Sequence, residues 1–400
     1  MKVLHVIPAV APRYGGPSQA VLGMGCALMQ HGVEVLIATT DADGRGHLPA
    51  VLGVPQEYQG VPVIFFPRQW SEAFKYSRPL AAWLAAHVSE FSVLHIHAVF
   101  SHASLAAAAA CRQRDVPYLV RTLGTLDPWS LRQKPMRKRL LWHLGARRMM
   151  DGAAAVQYTT RAEQRLVEHH LGLRRGVVIP LGIDQASYTA PVDLAQFSAR
   201  HSGLNQHPYI LVLGRLHPKK GVEALIAAFL RATRNEGLHD WRLVVAGDGD
   251  EGYVAHLRRI AREQSGGERV VFTGWVAGAE KLAVLRGAAV LALPSHQENF
   301  GLVVVEALSC GVPVLVSPHV NLADDIQAAG AGWVVPLDAP RLEAGLVEVM
   351  ALPEERQCRG SAGRDLAARF SWPQVAAELT QLYRRVERTE SRCAHMSLLG

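Results

Sequence analysis

Residues 298–313 read ENFGLVVVEALSCGVP, from Glu298 to Pro313. The opening is a loop with a Phe300-Gly301 step, where glycine interrupts regular structure. Leu302 to Cys310 is apolar on nearly every side except at Glu306, which is the composition of a helix packed inside a domain. Gly311 stops that helix, and Val312 to Val316 reads as a buried strand. A helix feeding directly into an apolar strand is the repeating unit of a parallel sheet covered on both faces. Glu298 and Glu306 stand eight positions apart, one on the loop and one inside the helix. Together they can grip two parts of an elongated, hydroxyl-rich ligand, and the N–H groups at the helix start favour an anion beside them.

The same alternation extends outward from this stretch. Before it lie strand candidates at Tyr209 to Leu213, Arg242 to Ala246, Val270 to Phe272 and Ala289 to Leu293, and after it Gly332 to Val335. A second series occupies the N-terminal half: Val3 to Ile7, Val33 to Thr39, Val63 to Phe66, Val93 to His97, Tyr118 to Arg121, Ala154 to Tyr158 and Val177 to Pro180. Helical patterns fill the gaps. Between the series, Gln185 to His207 is polar and irregular and reads as a linker. The expected architecture is α/β, with two doubly wound, Rossmann-like domains facing across a cleft, residues 1–190 and 205–372. A further helix follows over 373–388, and 389–400 is a tail. Ligands in such folds sit at the carboxyl ends of strands.

Bulk composition narrows the function. Four hundred residues exceed what one core supports. Hydrophobic content of 49% with 19% charged residues excludes a disordered chain. The net charge of +7 suits an anionic partner, but no nucleic-acid motif is present and none is expected to bind. The five cysteines are scattered without a CxxC, as reduced thiols are in a cytosolic protein. No apolar run reaches bilayer length. His5 and Pro8 interrupt the only signal-like stretch, which reads better as the first strand.

A second signature is Leu213-Gly214-Arg215-Leu216-His217-Pro218-Lys219-Lys220-Gly221. It follows a strand and opens a helix. A solvated basic turn would explain it alone. Arg215, however, offers a planar fork of donors suited to phosphate, and Lys220 adds a compact cation at a helix start, where positive charge is costly without an anion. Combined with Glu298 and Glu306, these residues describe a ligand with a diphosphate flanked by diols. A nucleoside diphosphate sugar meets that description. With two side-chain cations, Arg215 and Lys220, to take the place of a metal at the diphosphate, no metal or other cofactor is expected.

The chain resembles the GT-B glycosyltransferases and, within them, the retaining family four. The resemblance spans essentially the whole sequence. It rests on GRLHPKKG, Val244 to Gly249 (VVAGDG), Phe272-Thr273-Gly274-Trp275-Val276 and ENFGLVVVEALSCGVP in the second half. In the first half it rests on Gly15-Gly16, His95-Ile96-His97 and Pro180-Leu181-Gly182-Ile183-Asp184. It implies that Glu298 holds sugar hydroxyls, Glu306 the ribose diol, and Arg215 and Lys220 the diphosphate. It implies further that Glu298, Arg215 and Lys220 form the catalytic set, that Gly247 and the backbone from Asn299 through Phe300, Gly301, Leu302 and Val303 line the donor, that Trp275 and Val276 line the base pocket, and that Gly15 and Gly16 let the first loop close over the donor. By the same resemblance 1–190 binds the acceptor, 205–372 binds the nucleotide sugar, and the 373–388 helix crosses back to pack on the first domain.

One departure concerns the segment after the Tyr118 to Arg121 strand. Many relatives carry a histidine there, close to the reacting carbon, and this chain aligns Gly124 with it. His97, His102 or Asp127 are the candidates to supply a polar contact to acceptor or sugar, although Asp127 before Pro128 also suits a turn and His97 suits a buried core position. Leu131 to Met150 holds seven Lys or Arg and no acid, with Met136, Leu140, Leu141, Leu144 and Met149 interleaved. This is either a solvated basic face over a packed stripe or a surface for anionic membrane and a lipid-linked acceptor. The expected protein is thus a metal-independent, retaining transferase of a hexose from a UDP- or GDP-sugar to a glycan or lipid-linked acceptor, acting in polysaccharide or lipopolysaccharide synthesis. It would be cytoplasmic and peripheral to the inner face of the membrane. The alternatives are a nucleotide-sugar epimerase or hydrolase of the same fold and a non-catalytic nucleotide-sugar binding protein. A nicotinamide oxidoreductase is disfavoured, because the first βαβ unit lacks GxGxxG and carries Thr39-Thr40 where a ribose-binding acid belongs.

Overall fold

A computed structural model describes residues 1–193, 204 and 207–397. The chain forms two compact units, Met1–Gly182 with Trp372–Gly400, and Ile183–Ser371. The expected first domain ended at 190, but the chain joins the second unit from Ile183 onward. Ile183 donates its N–H to the carbonyl of Phe370 at 2.8 Å, and Gln185–Thr189 is a short helix. The remainder of the expected linker, 194–203 with 205 and 206, lies outside the described residues.

The first unit is built on a sheet of eight strands. In chain order its strands and the neighbouring ribbon are β1 (Lys2–Ala9), β2 (Glu34–Thr40), β3 (Ala42–Asp43), β4 (Gly46–His47), β5 (Pro55–Tyr58), β6 (Val61–Phe66), β7 (Val93–His97), β8 (Tyr118–Arg121), β9 (Ala155–Tyr158) and β10 (Gly176–Val178). The sheet order is β10-β9-β8-β7-β1-β2-β6-β5, with β3 and β4 pairing separately. Every neighbour in the large sheet is parallel except β5 on β6. The interior strands are apolar runs, as burial on both faces requires. β5 escapes sequence reading because it is PQEY, a polar edge strand that begins with proline.

The C-terminal helix spans Trp372–Ser397, longer than the expected 373–388, so the stretch expected as a tail continues as helix up to Ser397. Residues 398–400 lie outside the described residues. Val375, Ala376, Leu379, Leu382, Tyr383 and Val386 recur at helical spacing and are buried with Val21, Leu28 and Val93 of the first unit. Each large apolar side chain buried there contributes about 1.5–3 kcal/mol. At the start of this helix the Trp372 ring lies over Gly23, where a Cβ would come within 2.6 Å of it. Glycine in the Gly16–Gln30 helix therefore makes room for the ring.

The second unit holds β11 (Tyr209–Leu213), β12 (Arg242–Ala246), β13 (Val270–Gly274), β14 (Val290–Leu293), β15 (Val314–Val316) and β16 (Gly332–Val334). Their order is β13-β12-β11-β14-β15-β16, all parallel. The order reverses between β11 and β14, and the crevice beyond their carboxyl ends is where doubly wound sheets bind ligands. The two sequence signatures, 213–221 and 298–313, begin at the ends of these two strands.

Candidate active site

Backbone contacts sew the loops at this switch point together. The N–H of His296 donates to the Lys219 carbonyl at 2.7 Å, joining the loops after β11 and β14. The N–H of Glu298 donates to the His319 carbonyl at 3.0 Å, and Asn321 donates back to the Glu298 carbonyl at 3.0 Å, joining the loop after β15. Gly221 has φ 68°, and a Cβ there would stand 2.1 Å from the Pro294 carbonyl oxygen. Gly247 approaches the Gly214 carbonyl just as closely, at 1.9 Å for a notional Cβ. These glycines allow three strand-end loops to touch, which is a packing reason for Gly247 beside its expected place at the donor.

The side chains follow from that frame. Lys220, at the end of the Pro218–Lys220 turn, pairs with the Glu298 carboxylate. Both are mostly buried, at 19% and 15% side-chain exposure, so neither charge is left uncompensated. Arg215 lies exposed in the same loop. Gly301 caps the Leu302–Ser309 helix, whose first N–H groups have no carbonyl a turn earlier to bond. Asn299 neighbours Asn321, whose amide reaches its side-chain oxygen at 3.5 Å, while the Phe300 ring is buried edge-on against Phe370. Phe300 therefore offers a ligand only its backbone. Trp275 is 68% exposed, and the next residue, Val276, is buried.

Glu306 is buried, and its Oε1 accepts from Lys281 Nζ at 2.7 Å and from the Tyr188 hydroxyl at 2.8 Å. Burial and then the Glu306 carboxylate push the Tyr188 phenol well up. Neither Lys281 nor Tyr188 carries a sequence signal: one is a helix lysine, and the other falls within the expected first domain although the chain has joined the second unit by Ile183. Only the fold brings them to Glu306.

In the first unit, Gly15 caps the Gly16–Gln30 helix with φ 69° and nothing crowding it. The loop before it is tied down. Tyr14 donates its hydroxyl to Glu72 at 2.6 Å and accepts the Gly44 N–H at 2.9 Å, and Lys75 pairs with Glu72 at 3.1 Å. Burial and the Glu72 hydrogen bond push the Tyr14 phenol up to about 12.

Of the three weak contact candidates, His97 is corrected outright. It is fully buried on the sheet face that carries His5 and His95, its Nε2 bonded to His5 Nδ1 at 3.0 Å. His95 in turn bonds the Tyr383 hydroxyl of the C-terminal helix at 2.7 Å. Burial, and then neighbouring His95, His5 and the Arg121 guanidinium, hold the His97 imidazole well below its usual pKa. Burial, and then Arg121, lowers His5 to about 3. Among the described residues this trio has metal-ligand spacing, with one nitrogen from each ring within 4.8 Å of the others. The buried positive charge of Arg121 beside it opposes a cation. His102 is half-buried, accepts the Ser77 N–H at 3.3 Å and packs on the Tyr76 ring. Asp127 is buried and caps the next short helix through the Trp129 N–H at 2.8 Å, the turn role its sequence suggests.

The family follows from comparison with known proteins. The model of the glycosyl transferases group 1 matches residues 196–366, and that of the glycosyl transferase 4-like domain matches 15–182. A phosphatidyl-myo-inositol mannosyltransferase of Propionibacterium freudenreichii is 30% identical over 96% of this chain and 94% of its own. This chain belongs to the group 1 glycosyltransferases. The transferase is also 26% identical, over 96% of its length and 93% of the relative's, to a GDP-mannose:cellobiosyl-diphosphopolyprenol alpha-mannosyltransferase of Komagataeibacter xylinus. In structure it matches Anabaena HepE in complex with UDP and glucose, with a TM-score of 0.76 and 21% identity over 96% of this chain and all of that one. The transferase thus has the GT-B fold, with a parallel Rossmann-like sheet in each unit.

Proposed function

We propose that this glycosyltransferase moves a hexose from a nucleoside diphosphate sugar, UDP- or GDP-linked, to a glycan or lipid-linked acceptor with retention of anomeric configuration and without a metal. The observation that carries the reading is the Lys220–Glu298 pair at the β11/β14 switch point, beside Arg215 and the start of the Leu302–Ser309 helix. A donor exchanges that pair for its own groups: phosphate oxygens take Lys220, and sugar hydroxyls take Glu298. Arg215 and the helix-start N–H groups around Leu302 and Val303 hold the diphosphate. Glu306, aimed by Lys281 and Tyr188, takes the ribose diol, and the Trp275–Val276 segment takes the base.

In transfer, the bond from the anomeric carbon to the diphosphate oxygen breaks while an acceptor hydroxyl bonds to the same face. The leaving phosphate accepts that hydroxyl's proton. Negative charge grows on the diphosphate, where Arg215, Lys220 and the helix start stabilise it, and each such preorganised contact is typically worth about 10²- to 10³-fold in rate. Because the phosphate is the base, the glycine at 124 leaves no step without a group to perform it.

The acceptor reading draws on Pro135–Leu141 and the turns after it. Met136, Leu140 and Leu144, four residues apart, are 86%, 58% and 70% exposed, while Met149 is fully buried. Only part of the expected stripe is packed. The exposed part, flanked by Arg137, Lys138, Arg139, Arg147 and Arg148, suits an anionic bilayer surface. No helix among the described residues is long and apolar enough to cross a membrane, so attachment would be peripheral, on a cytoplasmic face where polysaccharide or lipopolysaccharide precursors are assembled. Flotation with vesicles containing or lacking anionic lipid tests the surface: anionic lipid should capture the protein, and capture independent of lipid charge contradicts it. A thermal-shift screen of nucleotide sugars, followed by product analysis with and without acceptor, tests the reaction. Stabilisation by a UDP- or GDP-sugar and acceptor-dependent glycoside formation are expected; stabilisation by none of them contradicts it.

A further inference from the structure

Trp70 is 73% exposed, and it does not stand alone. Its ring lies 4.9 Å from that of Tyr76, centroid to centroid, and the Tyr76 ring lies 4.4 Å from the His102 imidazole. The Phe74 ring meets that imidazole edge-on at 5.9 Å. The four rings form one strip between the loop after β6 and the His102–Gln113 helix after β7. Both segments leave the carboxyl end of the first sheet, whose strand order reverses between β1 and β7, and doubly wound folds hold ligands at that end. Neither the sequence signatures nor the reaction above employs Trp70, Phe74 or Tyr76.

The loop that carries Trp70 is fastened. Gln69 donates its N–H to the Tyr76 carbonyl at 2.9 Å, and its side-chain oxygen accepts the Arg78 N–H at 2.8 Å. His102 donates its own N–H to the Phe74 carbonyl at 3.0 Å. Glu72, in the middle of the loop, accepts from Tyr14, Arg68 and Lys75. An aromatic face presented this way loses little freedom when a ligand lands on it. The polar atoms beside it also have set directions. His102 Nδ1 accepts the Ser77 N–H at 3.3 Å, and burial lowers the imidazole pKa, so the neutral ring carries its proton on Nε2. Among the described residues neither that Nε2–H nor the Tyr76 hydroxyl has a hydrogen-bond partner, and neither is buried.

We propose that Trp70, Tyr76 and His102 form a sugar-binding platform of the first unit, on which one pyranose ring of a glycan lies. A pyranose has a face of C–H groups, which packs on the negative face of an aromatic ring, and a rim of hydroxyls. Those hydroxyls can accept from His102 Nε2–H and either donate to or accept from the Tyr76 hydroxyl. Tyr76 packs against one side of the Trp70 indole, and the other side is open for the sugar. A bilayer fits less well, because residues 67–77 include Gln69, Ser71, Glu72 and Lys75 and no aliphatic side chain beyond Pro67 and Ala73. The choice of a sugar rests on the transferase reading, which counts a glycan among the acceptors; the platform itself is complete within the first unit.

The test is saturation-transfer NMR on the full chain with the methyl α- and β-pyranosides of glucose, mannose and galactose. Wild type, Trp70→Ala and Trp70→Phe are compared, and binding of UDP- and GDP-sugars is followed by thermal shift on the same samples. At least one glycoside should receive saturation at its ring protons. Trp70→Ala should weaken that binding by about fivefold or more, as removal of one stacked ring does, and Trp70→Phe should keep most of it. Because Trp70 is exposed, the thermal midpoints of the unliganded proteins should agree. No signal from any glycoside, or equal signals in wild type and Trp70→Ala, overturns the platform. Capture by phosphatidylcholine vesicles that is lost in Trp70→Ala, without glycoside binding, assigns the strip to a bilayer and overturns it too. Trp70-dependent glycoside binding without stabilisation by any nucleotide sugar counts against the transferase reading and supports the platform. Stabilisation by a nucleotide sugar without Trp70-dependent glycoside binding counts against the platform alone.

Discussion

Lys220 and Glu298 form an ion pair across the two loops where the strand order of the second sheet reverses. The pair joins the 213–221 and 298–313 signatures, which the sequence holds 78 positions apart at these two residues. It also makes the chemistry reciprocal: whatever takes Lys220 from Glu298 must bring negative charge, and must leave something for Glu298 to accept.

Replacement of Lys220 or Arg215 by alanine should cut turnover by about 10²- to 10³-fold each. Thermal midpoints should move little for Arg215→Ala, since its side chain is exposed. Lys220→Ala leaves the Glu298 carboxylate without its partner and should cost some stability as well. Initial-rate kinetics beside thermal melts separate the two effects, and near-normal turnover in both variants refutes the diphosphate assignment.

Gly221→Ala should destabilise the second unit. The left-handed φ alone costs about 1–2 kcal/mol for a residue with a Cβ, and the Cβ would also press on the Pro294 carbonyl. Urea unfolding should show the loss. Equal midpoints for the variant and the wild type would mean that the two loops are not in contact as described.

Glu306→Ala should weaken donor binding more than it slows the step. Tyr188→Phe removes one hydrogen bond to the same carboxylate, worth about 0.5–1.5 kcal/mol, or up to about tenfold in donor affinity. Calorimetric titration reads both, and an unchanged affinity in Glu306→Ala removes the ribose role.

Acid should loosen the first unit. The buried rings of His5, His95 and His97 have lowered folded-state pKa values, His5 from 6.5 to about 3. Below about pH 6.5 the unfolded chain therefore binds more protons than the folded one, and stability falls as pH drops from there toward 3. Each ring contributes up to about 1.4 kcal/mol per pH unit in that window. Chemical unfolding at pH 7.5, 6 and 5 should show this decline, and His5→Phe should flatten it if the ring fits without strain. A midpoint that stays level from pH 7.5 to 5 contradicts the buried neutral trio.

Much of this architecture is legible in the chain itself. Val93–His97, Tyr118–Arg121, Tyr209–Leu213 and Arg242–Ala246 fall where apolar β-branched runs place them, because strands buried on both faces leave an unmistakable composition. The donor-side signatures are local, a loop and the helix it feeds, so sequence spacing carries them. Lys281 and Tyr188 carry no such signal, since each meets Glu306 only through tertiary packing. His97 misleads for a related reason: a histidine at a strand end looks the same in sequence whether it faces a ligand or, as here, a buried cluster with His5 and His95. The C-terminal helix outruns its expected end because its last turns lack the apolar stripe by which sequence reading recognises a helix.

The most direct measurement is the affinity of the protein for UDP and for GDP by isothermal titration, in wild type and Lys220→Ala, with EDTA present. Metal-free binding of at least one nucleotide by the wild type, weakened about tenfold or more by loss of the charge-assisted contact, is the predicted result. Failure of both nucleotides to bind, or equal affinity in wild type and variant, would contradict a diphosphate held by Lys220 at the switch point.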